Sequence, residues 1–158
     1  MTLSEGMAAP EFALKESEEQ SAADLRSFRG QCVVVYFYPK DDTEGCTAEA
    51  KDFSCLIDAF AQAGAVVIGI SPDSIKSHDK FRNKHDLKVR LASDEDKAIA
   101  EAYGVWVEKK MYGRTFMGVE RATFLIDSQG QIARIWRNVR VPGHAEDVLE
   151  AVKTQCVP

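Results

Sequence analysis

From Val33 to Tyr38 the chain runs Val-Val-Val-Tyr-Phe-Tyr, six residues of strand-forming type without a charge among them. A strand with one face in water alternates apolar and polar residues, so an unbroken run demands cover on both faces. That requirement points to a sheet sandwiched between helices. The residues that follow agree: Phe53, Leu56, Ile57 and Phe60 recur at the three-and-four spacing of a helix that buries one side, predicting a helix over 46–63. Further apolar runs at 65–70, 123–126 and 132–136 alternate with helix-periodic segments at 74–85, 96–103 and 144–154, with Ser74, Asp94 and Gly143 near the starts. Asp127-Ser128-Gln129-Gly130 reads as a hairpin turn, which makes the last two strands antiparallel and the sheet mixed. The expectation is an α/β protein with a central mixed sheet flanked by helices, one domain over residues 1–158. Glu108 to Gly113 is the one long irregular stretch the pattern leaves.

Cys46 stands where the first run gives way to the first helix. Backbone donors at a helix start are unpaired and carry positive charge, and both favour a thiolate over a thiol. Thr43 reads as the N-cap, its hydroxyl placed to accept the N–H of Cys46 three residues on. A lone cysteine is usually a small buried hydrophobe, and Cys32, opening a buried strand, keeps that reading. The helix-start context lifts Cys46 out of it.

Composition narrows the function classes. A net charge of −5, with lysines and arginines scattered among acids, leaves no basic footprint for nucleic acid. Glu5, Glu11, Glu16, Glu18 and Glu19 interrupt the first twenty residues, so no signal peptide is expected, nor any membrane span, and the expected location is cytoplasmic. The four cysteines, at 32, 46, 55 and 156, are sparse and form no C-x-x-C pair, the usage of a compartment where thiols stay reduced. His78, His85 and His144 lack metal-ligand spacing and read as surface or packing residues; no metal or other cofactor is expected.

Pro39, Thr43 and Cys46, in the order P-x-x-x-T-x-x-C, resemble the active site of the peroxiredoxins, and residues 36–47 with Glu49 look like the bacterioferritin comigratory protein, or peroxiredoxin Q, subfamily. Residues 6–12 (GMAAPEF), 69–71, Ser77-His78-Asp79 and 118–127 (GVERATFLID) carry the resemblance along nearly the whole chain. It implies a thioredoxin-like fold and a thiol peroxidase. In that family Cys46 would attack the peroxide and the Thr43 hydroxyl would hydrogen-bond it. Arg121 would turn inward beside Cys46, Glu49 would orient Arg121, and Pro39 would shield the thiolate. From the residues alone, Arg121 is a solvated surface arginine, Glu49 a first-turn acid that suits the helix dipole and Pro39 a strand-end proline.

Two positions depart from the family pattern. Glu44 replaces the proline often found before Gly-Cys, and Lys51 stands where a resolving cysteine is common; neither Ser77 nor Arg82 supplies the thiol of the other known arrangement. Cys55 is the nearest substitute, but nine residues along a helix put it on the opposite face about 13 Å away, beyond the roughly 7 Å a disulfide spans. Cys156 sits near the C-terminus on an expected mobile tail, where it could resolve, pair between chains or do nothing. The favoured reading is therefore a monomeric single-cysteine peroxidase acting on hydroperoxides and reduced by thioredoxin, glutaredoxin or glutathione. Alternatives are a two-cysteine cycle through Cys55 and a non-enzymatic redox sensor or holdase. A thioredoxin-type reductase is disfavoured, because Thr43 stands where its attacking cysteine belongs.

Overall fold

The structure is a computed structural model and describes residues 3–16 and 23–156. Its centre is the expected strand, β1 (Cys32–Phe37), every residue of which is buried. Two parallel strands follow it outward, β2 (Ala65–Ser71) and β3 (Arg90–Ser93); β6 (Ala122–Ile126) and β7 (Ile132–Trp136) extend the other side antiparallel, giving the order β3-β2-β1-β6-β7. The sheet is mixed, as the turn at 127–130 implied. Successive β1 side chains divide two cores. Val34, Tyr36 and Tyr38 pack with α1 (Glu44–Cys55), α2 (Ile57–Gln62), α3 (Ile75–His85) and α5 (His144–Gln155). Val33, Val35 and Phe37 pack with the N-terminal segment, a 3-10 turn at Leu25–Phe28 and α4 (Ala98–Ala102). That alternation is the two-faced burial the unbroken apolar run required.

Several expectations are corrected. The helix predicted over 46–63 is two helices that meet at Leu56, where a 3-10 bond from the Leu56 N–H to the Phe53 carbonyl tightens the chain. Both Phe53 and Phe60 still reach the core with no exposure, which is why side-chain periodicity alone does not reveal the break. Residues 108–113, expected to be irregular, lie in a hairpin of β4 (Trp106–Met111) and β5 (Arg114–Val119). Its corner is Tyr112-Gly113, with φ of 53° and 75°, the left-handed pair that a tight two-residue hairpin requires. The strands are largely exposed, and their apolar residues are interrupted irregularly by Glu108, Lys109, Lys110, Arg114 and Gly118, so they lack the regular alternation that announces a strand. Strand β3, only four residues long, lies outside the expected strands.

Two helices start where expected. Ser74 caps α3 by accepting from the Ser77 N–H at 3.1 Å, and Gly143 precedes α5. Asp94 is not the residue immediately before α4, yet its carboxylate accepts from the Ile99 and Ala100 N–H groups at 3.0 and 2.9 Å and so fills the capping role from further back.

The cysteines at the far end of β1 overturn two expectations. Cys156 is not on a mobile tail: it closes α5, is 5% exposed and forms a disulfide with Cys32, their Cα atoms 6.2 Å apart. Cys32 is therefore not an inert hydrophobe, and the expectation of reduced thiols fails for this pair. The pairing joins positions 124 residues apart that only the packing of α5 beside β1 brings together. Cys46 and Cys55 are free.

Candidate active site

Strand β1 ends at Phe37, and the chain turns through Tyr38 to Thr43 before α1 begins. Two residues of this corner are clamped to α3. Asp41 accepts from Ser77 Oγ at 2.8 Å, and Asp42, left-handed at φ 59°, accepts from Lys84 Nζ and His85 Nε2 at 2.7 and 2.8 Å. These bonds hold the Asp42 carboxyl below its ordinary value, that from His85 most. Pro39 lies exposed in the bend just after β1.

Cys46 falls in the first turn of α1 and is 1% exposed. Arg121 comes to it from the other side of β1. The register of β1 against β6 pairs Phe37 with Ala122, so the residue before Ala122 is delivered to the end of the strand where the corner begins. Backbone bonds fix that delivery: the Val139 N–H donates to the Arg121 carbonyl, and the Glu120 N–H to that of Val105. The guanidinium then spans two partners, Nη2 donating to Cys46 Sγ at 3.3 Å and Nη1 to Glu49 Oε1 at 2.7 Å. Arg121 is thus not a surface arginine; its side chain is 18% exposed. Gly45 makes the approach possible, since a Cβ there would stand 3.2 Å from Arg121 Nη2.

Glu49 follows Cys46 by three residues on one helix face and is 1% exposed, so it is not a solvated first-turn acid. Burial pushes its carboxyl up to about 7 despite the adjacent guanidinium. Its Oε2 has no hydrogen-bond partner among the described residues, nor does the Tyr36 hydroxyl. Tyr36 lies beneath α1, stacked on Phe53 with ring centroids 4.7 Å apart, and it crosses β2 at Gly69, where any Cβ would collide with its ring at 2.6 Å.

Thr43 occupies the N-cap position with extended backbone, but its hydroxyl does not cap the helix. The Thr43 Oγ1–H instead donates to the Lys40 carbonyl at 2.9 Å, because the tight turn through left-handed Asp42 folds that carbonyl back beneath it. With its proton so used, the hydroxyl keeps its lone pairs as acceptors. Thr43 is exposed, at the rim of the site.

One side chain near the site, Lys109, carries no signal in the sequence, and two histidines expected at the surface or in packing find polar partners. Lys109, from the unrecognised hairpin, donates to the Val119 carbonyl; burial lowers its pKa first, the Arg121 charge lowers it further and Cys46 opposes the shift. His144, at the start of α5, is buried, burial lowers its pKa to about 4, and its Nε2 shares a 2.8 Å hydrogen bond with Thr123 Oγ1. His78 is 2% exposed and hydrogen-bonded to Asp41. His78 and His144 are thus packing residues with polar partners, whereas His85 is partly exposed beside Asp42. Cys55 ends α1 on its exposed side, consistent with a face opposite Cys46.

An arginine-held cysteine at the start of a helix, beside the central strand of such a sheet, defines the class: a thioredoxin-fold protein with a cysteine at its strand-to-helix corner. Comparison with known proteins resolves it further. The AhpC/TSA family model matches residues 6–135. Peroxiredoxin Bcp of Bacillus subtilis is 44% identical over 153 residues, 97% of each chain, and that of Xanthomonas campestris 49% over 129 residues, 82% of this chain and 81% of its own. A solved structure of the Xanthomonas campestris bacterioferritin comigratory protein, studied for its alkyl peroxide reduction, superposes with a TM-score of 0.85 at 45% identity over 90% of each chain. The chain belongs to the AhpC/TSA family, in its bacterioferritin comigratory protein or peroxiredoxin Q branch, and is a peroxidase.

Proposed function

We propose that the protein reduces hydrogen peroxide and organic hydroperoxides through Cys46, in a single-cysteine cycle completed by an external thiol. The arginine that touches both Cys46 Sγ and Glu49 carries this reading. The Cys46 thiolate attacks the distal oxygen of the hydroperoxide, an S–O bond forms as the O–O bond breaks, and the departing alkoxide or hydroxide takes a proton to leave as alcohol or water. Arg121, fixed by Glu49, supplies positive charge and donors where the oxygen charge develops. Thr43, its own proton committed to Lys40, is suited to accept the peroxide O–H. Pro39 is assigned the shielding of the thiolate. Cys46 is left as a sulfenic acid. One external thiol condenses with it, releasing water and forming a mixed disulfide; a second thiol frees Cys46 and departs as the external disulfide. Glutathione, glutaredoxin and thioredoxin all provide this chemistry.

The whole chain is assigned to one cytoplasmic domain that acts as a 17.5 kDa monomer, a mass that light scattering would check. No helix among the described residues is long and apolar enough to cross a membrane. A two-cysteine cycle has one observation in its favour: α1 ends at Cys55 and α2 starts afresh after Leu56, so α1 can unwind without disturbing α2. The test of the primary reading is peroxide consumption by Cys46→Ser, with intact mass as a second measurement. Consumption should vanish and the variant should no longer gain one oxygen, because a serine hydroxyl stays protonated. Continued turnover would remove Cys46 from the mechanism.

A further inference from the structure

Behind the active-site corner lies a polar cluster that the peroxidase chemistry does not use. His78, on α3, is enclosed, and its two ring nitrogens both face acceptors: Nε2 lies 3.1 Å from the Ala92 carbonyl of β3, and Nδ1 lies 2.7 Å from Asp41 Oδ2. The carboxylate has further donors, Ser77 Oγ on Oδ2 at 2.8 Å and Tyr38 Oη on Oδ1 at 2.6 Å. One backbone bond completes the arrangement, from the Asp41 N–H to Asp73 Oδ2 at 2.8 Å, and Asp73 is itself held by Ser71 Oγ at 2.6 Å. The same residues bring ligand atoms of Asp41, Asp73 and His78 within 4.8 Å of one another. Each of those atoms already has a hydrogen-bond partner, so the cluster is complete as a hydrogen-bonded one.

Proton counting gives its character. A carbonyl cannot donate, so the His78 proton facing Ala92 must be on Nε2. The 2.7 Å contact with Asp41 then needs a second proton, on His78 Nδ1 or on Asp41 Oδ2. Without it, a carboxylate lone pair and an imidazole lone pair would be opposed at 2.7 Å, too close for anything to stand between them. The titratable and charged groups facing the pair among the described residues are Tyr38, with Tyr36 behind it, from the β1 side, and Asp73 from the segment between β2 and α3; β3 contributes only the Ala92 carbonyl. None is a cation that could take the place of the proton.

We propose that Asp41 and His78 are positioning residues for peroxide reduction, and that the single proton they share holds the corner carrying Thr43 and Cys46 in its reactive geometry. This rests on the assignment of Cys46 as the attacking thiol. Without that proton the two lone pairs are opposed, Asp41 is driven away from His78, and the corner moves with it. Oxidation of Cys46 should therefore fall at alkaline pH, where the pair loses its proton.

Asp41→Asn separates the proton from the hydrogen bond. A carboxamide donates permanently to neutral His78 and to Ser77 while its oxygen still accepts from Tyr38. The experiment measures the rate of Cys46 oxidation by hydrogen peroxide from pH 5 to 10 in the parent, Asp41→Asn, Asp41→Ala and His78→Ala, with melting temperatures recorded alongside. Asp41→Asn is expected within about threefold of the parent at pH 7 and without the alkaline fall; Asp41→Ala and His78→Ala are expected to be slowed at least about tenfold. Nitrogen-15 spectra of the parent, recorded from pH 5 to 10, provide a measurement that needs no variant: the His78 Nδ1 signal should shift in step with the alkaline fall in rate. A parent rate with no alkaline fall, a fall that persists in Asp41→Asn, or a His78 signal constant over that range would overturn the proposal. If Cys46→Ser still consumes peroxide, the assignment of Cys46 is at fault instead, and the two failures are told apart.

Discussion

Arg121 shows how much one residue's meaning depends on what it touches. Its guanidinium is in hydrogen-bond reach of a sulfur and a carboxylate at once, and the carboxylate is too buried to be satisfied by water. The two contacts reinforce each other: Glu49 fixes the fork, and the fixed fork keeps one arm on Cys46. Lysine could not do both, because a single ammonium on a flexible stem lacks the rigid pair of donors. Arg121→Ala should slow Cys46 oxidation by roughly 10²-fold or more, the scale on which a preorganised donor at developing charge acts. Stopped-flow rates within about threefold of the parent would show that the contact to sulfur contributes nothing to the transition state.

At the scale of elements, α1 is the part with competing demands. Its first turns present Cys46 and Glu49 inward, its middle stacks Phe53 on Tyr36, and its last residue, Cys55, is exposed. A Cys46–Cys55 disulfide would require those turns to open. Opening breaks several backbone hydrogen bonds at about 1 kcal/mol net each and exposes apolar surface at ~25 cal/mol per Å², against the few kcal/mol a disulfide contributes. The break at Leu56 confines the disruption to one helix but leaves the Phe53 face to be exposed. After one equivalent of peroxide, a sulfenic-acid trap should label Cys46 equally in the parent and in Cys55→Ser. A dominant Cys46–Cys55 peptide in the mass map would instead establish the two-cysteine cycle.

For the whole molecule, the Cys32–Cys156 disulfide separates stability from chemistry. It ties the end of α5 to the start of β1, whereas Cys46 lies past the other end of that strand, about 17 Å further along at ~3.3 Å per residue. We propose that it serves stability rather than the resolution of Cys46. Closing a loop of 124 residues' separation stabilises by up to about 5 kcal/mol in the chain-entropy account. Cys156→Ser should lower the midpoint of denaturant unfolding under non-reducing conditions while leaving peroxide turnover unchanged, and dithiothreitol should move the parent toward the variant. A loss of turnover in Cys156→Ser that matched the loss of stability would mean that the disulfide takes part in the cycle.

The uninterrupted apolar run at 33–38 determined by itself that a central strand would be covered on both faces, because no other arrangement hides it from water. The hairpin turn at 127–130 made the sheet mixed, and Ser74 and Gly143 marked helix starts, since turn and cap chemistry is local. Cys46 was legible for the same reason: a thiol at a strand-to-helix corner is a matter of neighbours in sequence. Arg121 and Glu49 were legible as partners only through the family pattern, because from composition each had an ordinary surface reading. The tertiary structure alone decided the rest. The Thr43 hydroxyl chose the Lys40 carbonyl over the helix start when Asp42 turned left-handed; the hairpin of β4 and β5 formed from largely exposed residues without regular apolar alternation; His78 met Asp41 across 37 positions and Cys32 met Cys156 across 124. Contacts between distant segments follow from how the elements pack, and no periodicity within either segment encodes them.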